Sequence, residues 1–264
     1  MKRFFQYLLY FFVYSGLLIA LSASALAAEV FVVLDINMDF SYLAFVFTAT
    51  LLTYSVHRIL GIRKIKEKYS NERFAIIYSL RPAIASVTII SSCALAYLIT
   101  IINQAYLWQF GIAGIICFFY VMPLIHFKKR LRDIPFIKIL LISAAWTFVA
   151  NMPIINKEMV TQEPLILSLM TIEKFVFIFL ITLPFDIRDY EIDLSMNVKT
   201  FAHSLGAERV YPLIYLLIII SAILMVSISW ELSGNLLKSL LLAFPFLMTY
   251  LAVSISRNKK SDLY

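Results

Sequence analysis

Apolar residues run along this chain in long continuous blocks, and the polar residues between them are short and rich in Lys and Arg. A helix that crosses the hydrocarbon core of a bilayer needs about 20 mostly apolar residues. Eight blocks meet that length: approximately 4–28, 39–57, 82–102, 105–125, 136–155, 164–185, 210–230 and 236–256. Lipid offers no partner to backbone polar groups, so each block must be a helix or a strand of a closed barrel. The blocks are too long and too continuously apolar for barrel strands. The pattern therefore predicts an all-α, polytopic membrane bundle of about eight helices, a single membrane-embedded domain over 1–264.

The first block has two readings. Lys2 and Arg3, an apolar run and Ala25-Leu26-Ala27-Ala28 are the parts of a signal peptide with its cleavage site. Yet the run from Phe4 to Ala28 is longer than the roughly 7–15 residues of such a segment. The expectation is a retained helix.

Composition agrees with the pattern. The 264 residues are 62% hydrophobic and 15% charged, against about 45–50% and about 25% in soluble domains. Cys93 and Cys117 both lie in apolar stretches and form no CxxC pair, so they are packing residues. The formal charge of +7 does not point to nucleic acid, because the cations report membrane orientation. Lys2 and Arg3 precede the first block. Arg58, Arg63, Lys64, Lys66, Lys68, Arg73 and Arg81 follow the second, and Lys128, Lys129, Arg130, Arg132 and Lys138 follow the fourth. Arg188, Lys199 and Arg209 follow the sixth; Arg257, Lys259 and Lys260 follow the eighth. The alternate connections carry mostly acids. Cations stay on the cytoplasmic side, which predicts a multi-pass protein of the cell membrane with both termini and the even connections cytoplasmic.

One segment carries chemistry: Asp186-Ile187-Arg188-Asp189-Tyr190-Glu191-Ile192-Asp193, at the end of the sixth block. On a helix, positions i, i+3 and i+7 share a face, and Asp186, Asp189 and Asp193 have that spacing. Three carboxylates on one face repel each other unless a cation sits between them. Hard oxygens of this kind suit Mg²⁺, which binds carboxylates together with substrate phosphates. Arg188 and Lys199 stand close in sequence and can contact phosphate directly. The plainer alternative is a solvated acidic loop that ends a helix. Glu173 and Lys174 fall within the same block. They read either as a pair near the outer interface, partly snorkelling, or as the lining of a cavity.

With Lys199-Thr200 and Leu205-Gly206 following the three aspartates, the segment resembles the second acidic motif of the UbiA superfamily of intramembrane prenyltransferases. Arg188 before Asp189 looks most like the menaquinone-type branch. Tyr120, Pro123, Lys128, Lys129, Arg132 and Pro135, with Trp146 in the next block, resemble that family's stretch after the fourth helix. The resemblance implies a polyprenyl diphosphate bound through Mg²⁺, loss of diphosphate to leave an allylic carbocation, and attack by an aromatic or other acceptor. It implies a substrate-binding set of Arg58, Tyr120, Lys128, Arg132, Arg188 and Lys199, with Asp186, Asp189 and Asp193 catalytic and on the metal. One departure stands out. The family's first motif should fall at the end of the second helix, where Tyr54, His57 and Gly61 occupy its aspartate positions. None of them replaces a carboxylate as a hard ligand. The resemblance therefore implies a prenyltransferase with a reduced metal site, its acceptor unidentified. The alternatives are an inactive protein of that fold binding an isoprenoid diphosphate or quinone, and a transporter.

Overall fold

A computed structural model describes residues 2–65, 72–121, 134, 136–155, 164–195 and 199–258. Every regular element among them is a helix. In chain order these are α1 (Lys2–Tyr14), α2 (Leu17–Val33), α3 (Phe40–Ile65), α4 (Glu72–Ser79), α5 (Arg81–Ile101) and α6 (Gln104–Val121). There follow α7 (Ile137–Ile155), α8 (Pro164–Arg188), α9 (Tyr190–Ser195), α10 (Phe201–Leu205), α11 (Ala207–Ser233) and α12 (Leu236–Asn258).

The chain is an all-α polytopic membrane bundle. Phe40–Leu60, Arg81–Ile101, Pro164–Arg188, Glu208–Ser233 and Leu236–Arg257 are each long and apolar enough to cross a bilayer. On α12 the residues Leu237, Leu240, Leu241, Phe244, Leu247 and Leu251 are all exposed. In water such a stripe would forfeit about 1.5–3 kcal/mol per side chain, whereas hydrocarbon matches it.

The first expected span is not one continuous helix. Tyr7–Tyr14 and Leu17–Val33 meet at a 53° bend. Gly16 makes the bend with a φ of 94°, and Ser15 Oγ accepts from the Leu17 N–H at 3.3 Å. A Cβ on Gly16 would stand 3.1 Å from Cβ of Tyr54 on α3. Glycine is needed twice here, for its backbone angle and for the close approach of α3. The expected spans at 105–125 and 136–155 correspond to the shorter apolar helices Gln104–Phe119 and Ile137–Pro153.

Two compact units make up the chain, Met1–Gly111 and Ile112–Tyr264. In the first, α3 packs against α2 and α5. Tyr42 is fully buried on α3, with its ring 6.1 Å from Phe31, 4.8 Å from Tyr106 and 5.7 Å from Phe110. A second cluster joins Tyr14, Ile77, Leu80 and Ile84. It seats α4, an element the sequence pattern did not mark. Pro82 lies in the first turn of α5, where its missing N–H costs nothing.

In the second unit α8 packs on α7 and α11, and α11 on α12. Helices α7 and α8 are antiparallel, because Lys138 meets Asp186 at one end and Asn151 meets Thr171 toward the other. Ser239 and Ser229 join α12 to α11 at 3.1 Å, and Phe177 of α8 lies edge-on to Phe246 of α12 at 4.9 Å.

Candidate functional site

Helix α8 delivers the acidic motif. It contains Pro184 and ends at Arg188. Asp189 then forms a turn, its N–H still bonded to the Phe185 carbonyl at 2.9 Å, and α9 begins at Tyr190. The single continuous helix assumed for Asp186, Asp189 and Asp193 is therefore interrupted at its middle carboxylate. Asp193 lies on α9, with its side chain outside the described ones.

Lys199, Thr200 and Phe201 are held by specific contacts. The Phe136 N–H donates to the Lys199 carbonyl at 3.1 Å, tying the loop to the start of α7. Phe136 has a φ of 63°, a left-handed conformation unusual for a bulky residue. Its ring lies edge-on to Phe201 at 5.2 Å, and Phe179 of α8 lies edge-on to Phe201 at 5.4 Å. Thr200 caps α10, its hydroxyl accepting from the His203 N–H. His203 stacks on Tyr190 at 4.0 Å.

Asp186 is buried at the inner face of α8. Its Oδ1 meets Lys138 Nζ at 3.5 Å, with the two side chains 1% and 12% exposed. Asp186 Oδ2 is buried without a hydrogen-bond partner among the described residues. Asp189 is held differently. Arg188 Nε donates to Oδ1 at 2.9 Å and its terminal nitrogen to Oδ2 at 3.2 Å, a bidentate pair. The Arg188 guanidinium carbon lies 4.9 Å from the Phe185 ring centroid. Asp186 and Asp189 thus each face a cation.

Mg²⁺ takes hard oxygen ligands. A buried, unpartnered carboxylate oxygen calls for a cation or a donor, and Asp186 Oδ2 is one. The oxygen donors of Asp186 are of the kind such an ion takes, and Asp189 follows in the adjoining turn. No group of three His, Cys, Asp or Glu side chains is already gathered among the described residues.

The remaining expected residues divide in two. Tyr54, His57 and Arg58 lie on α3 in the first unit, all half-buried. Tyr54 packs by its Cβ against Gly16, and the Arg58 guanidinium lies 5.7 Å from the Tyr14 ring centroid. Lys199 is exposed beside Thr200. Lys128 and Arg132 lie outside the described residues, as does the side chain of Tyr120; Gly61 is described only as a backbone position of α3.

Glu173 and Lys174 correct the snorkelling reading. They are 1% and 2% exposed, with Lys174 Nζ 3.9 Å from Glu173 Oε2. At about 1.5 Å per residue they sit roughly 20 Å along α8 from Asp186. Asn151 Nδ2 donates to Thr171 Oγ1 at 3.1 Å on the neighbouring turns. The sequence reading also passed over Lys138 and His203. Lys138 is 48 positions from Asp186 in the chain, and no sequence signal links the two.

The whole-chain arrangement matches solved structures of a UbiA homolog from Archaeoglobus fulgidus. The structure bound to GPP and Mg²⁺ aligns with a TM-score of 0.60 at 15% identity, over 93% of this chain and 87% of that one. The one bound to DMAPP and Mg²⁺ aligns at 0.58 and 15% identity, over 93% and 86%. The one bound to Cd²⁺ aligns at 0.55 and 17% identity, over 95% and 91%. No protein-family model matches the sequence, and no curated protein is similar to it. The class this defines is a helical membrane protein with the UbiA fold.

Proposed function

We propose that this chain is a UbiA-like prenyltransferase of the cell membrane. It transfers a polyprenyl group from its diphosphate to an aromatic or lipid acceptor. Residues 1–264 are a single membrane-embedded domain in this reading, with the termini and the acidic loop cytoplasmic. One observation carries this reading: a buried, half-satisfied aspartate ends an apolar span in a fold whose solved homologs were bound to GPP or DMAPP with Mg²⁺.

The roles follow from charge. Lys199 and Arg188 contact the diphosphate, together with Lys128 and Arg132; Arg58 and Tyr120 complete the substrate set. Arg188 holds a planar fork that suits phosphate as well as carboxylate. Asp186, Asp189 and Asp193 are the residues that would hold Mg²⁺, which would supply neutralisation of the departing diphosphate. Stabilising that charge is the main electrostatic contribution to ionising an allylic ester. The apolar bundle keeps water from the isoprenoid and from the cation it forms.

A second reading rests on its own observation. Tyr54, His57 and Gly61 supply no carboxylate where the first acidic motif should stand. Asp189 is moreover already engaged by Arg188. A protein that binds an isoprenoid diphosphate or quinone without transfer fits this equally simply. The two separate in one experiment. Full-length protein in lipid nanodiscs is given several polyprenyl diphosphates, Mg²⁺, and quinone-precursor or lipid acceptors. Pyrophosphate release with prenylated product, lost in Asp189→Ala, supports the transferase. Tight binding with no product from any acceptor supports the binding protein. Absence of both overturns the diphosphate reading.

A further inference from the structure

We propose that the buried carboxamide of Gln109 and the rings packed beside it form a second ligand site, which takes a neutral aromatic head bearing a carbonyl or hydroxyl oxygen. This goes beyond the prenyl-diphosphate reading and does not depend on it. Every residue of the site lies in the first unit, Met1–Gly111, and the acidic motif lies in the other. Gln109 is 0% exposed on α6. Neither its Nε2 nor its Oε1 has a hydrogen-bond partner among the described residues. Tyr106, three positions earlier, is buried on the same face of the helix. Lipid offers no hydrogen bond to a stranded amide, and an apolar side chain of the same length would avoid the loss. A carboxamide with both ends idle calls for a group that accepts from Nε2, donates to Oε1, or does both.

The surroundings define what fits. The Tyr42 ring of α3 lies 4.8 Å from Tyr106 and 5.7 Å from Phe110, and Phe45 lies 4.3 Å from Phe110. Tyr106 stands one turn before Gln109 and Phe110 directly after it, so α3 meets α6 at the positions that flank the carboxamide. Phe31 of α2 adds a fifth ring, 6.1 Å from Tyr42. Such rings favour the face or edge of another flat ring. These six residues include no ionised side chain, so a charged head would be desolvated there without an ion partner. The same contacts show that α3 and α6 run parallel. Gln109 is the sixth residue of α6, about 8 Å from the start of that helix. This depth suits a head held just below the membrane interface with its tail in the bilayer. Aromatic belts occupy the same depth, but belt residues face lipid, as the exposed Trp108 does; Tyr42 and Tyr106 are buried.

Thermal unfolding and binding titrations on the full-length protein in lipid nanodiscs test this, with duroquinone as the oxygen-bearing ring and durene as the same methylated ring without oxygens. Duroquinone should bind the wild type and raise its melting temperature, as any ligand of the folded state does. Gln109→Met keeps the length of the side chain and leaves no polar atom to satisfy, so it should fold at least as well as the wild type. It should bind duroquinone about tenfold more weakly, the loss of two neutral hydrogen bonds, and bind durene as the wild type does. Phe110→Leu keeps the carboxamide and removes a ring; it should weaken both compounds by about threefold or more. Decylubiquinone separates the two sources of such a ring. Binding tighter than that of duroquinone, and still dependent on Gln109, marks a lipid-borne head; binding no tighter marks a free, water-soluble ring in the same site. Equal duroquinone affinity in the wild type and Gln109→Met overturns the proposal, as does a durene affinity that falls equally in that variant. A wild type that neither quinone stabilises, and that Gln109→Met destabilises, identifies a trapped water as the partner of the carboxamide and overturns it too.

Discussion

Tyr190 and His203 stack with ring centroids 4.0 Å apart and planes 16° from parallel, although they belong to different helices. The same imidazole meets Thr200 Oγ1 through Nδ1 at 2.9 Å. Helices α9 and α10 are thereby joined, with Tyr190 one residue beyond Asp189. An aromatic pair of this kind contributes about 0.5–1.5 kcal/mol beyond its buried area. Tyr190→Ala should open the loop and weaken Mg²⁺-dependent polyprenyl diphosphate binding by about three- to tenfold. Tyr190→Phe keeps the ring and should bind as the wild type does. Equal losses in the two variants would assign the effect to the hydroxyl rather than to the stack.

Asp186 and Asp189 should respond differently to the same truncation. Asp189 is about a quarter exposed and its carboxylate is matched by its neighbour Arg188, so Asp189→Ala should leave the melting temperature nearly unchanged while abolishing Mg²⁺-dependent diphosphate binding. Asp186 is buried against Lys138, so Asp186→Ala removes a buried carboxylate facing a nearly buried ammonium. It should cost about 3 kcal/mol of stability as well as binding. Thermal unfolding in detergent, paired with a binding titration, separates the two.

Gly16 is held at a φ of 94° with α3 against it. Valine there meets both a backbone penalty of about 1–3 kcal/mol and a clash with Tyr54. Gly16→Val should lower the melting temperature by several degrees, and Gly16→Val with Tyr54→Ala should recover only the steric part. Full recovery would mean that the backbone angle carries no strain.

The Glu173–Lys174 pair lies inside an apolar span. Lys174→Met alone leaves a buried carboxylate and should destabilise the protein by about 3–5 kcal/mol, whereas Glu173→Gln with Lys174→Met should be far milder. If the single and double variants melt alike, the pair is not energetically coupled.

Orientation is tested at the loop itself. Cysteine introduced at Ser195, after Cys93 and Cys117 are replaced by serine, should react only with reagents that reach the cytoplasm, since Lys and Arg accumulate on that side. Modification by an impermeant external reagent in intact cells would reverse the topology.

Much was legible in the one-dimensional pattern, for a physical reason. Lipid demands long apolar helices, so spans such as 82–102 and 236–256 announce themselves by length alone and agree with α5 and α12. The acidic motif was equally visible, because carboxylates at the end of an apolar run contradict their surroundings. Three things needed the folded chain. Gly16 breaks the first apolar block, which hydropathy does not register because glycine is not polar. The turn at Asp189 divides a face that an ideal helical period would keep whole. Lys138 lies far from Asp186 in sequence and becomes its partner only because α7 and α8 run antiparallel. Apolar length is a local property and is written along the chain; which charge faces which carboxylate is a property of helix packing, and only the tertiary structure decided it.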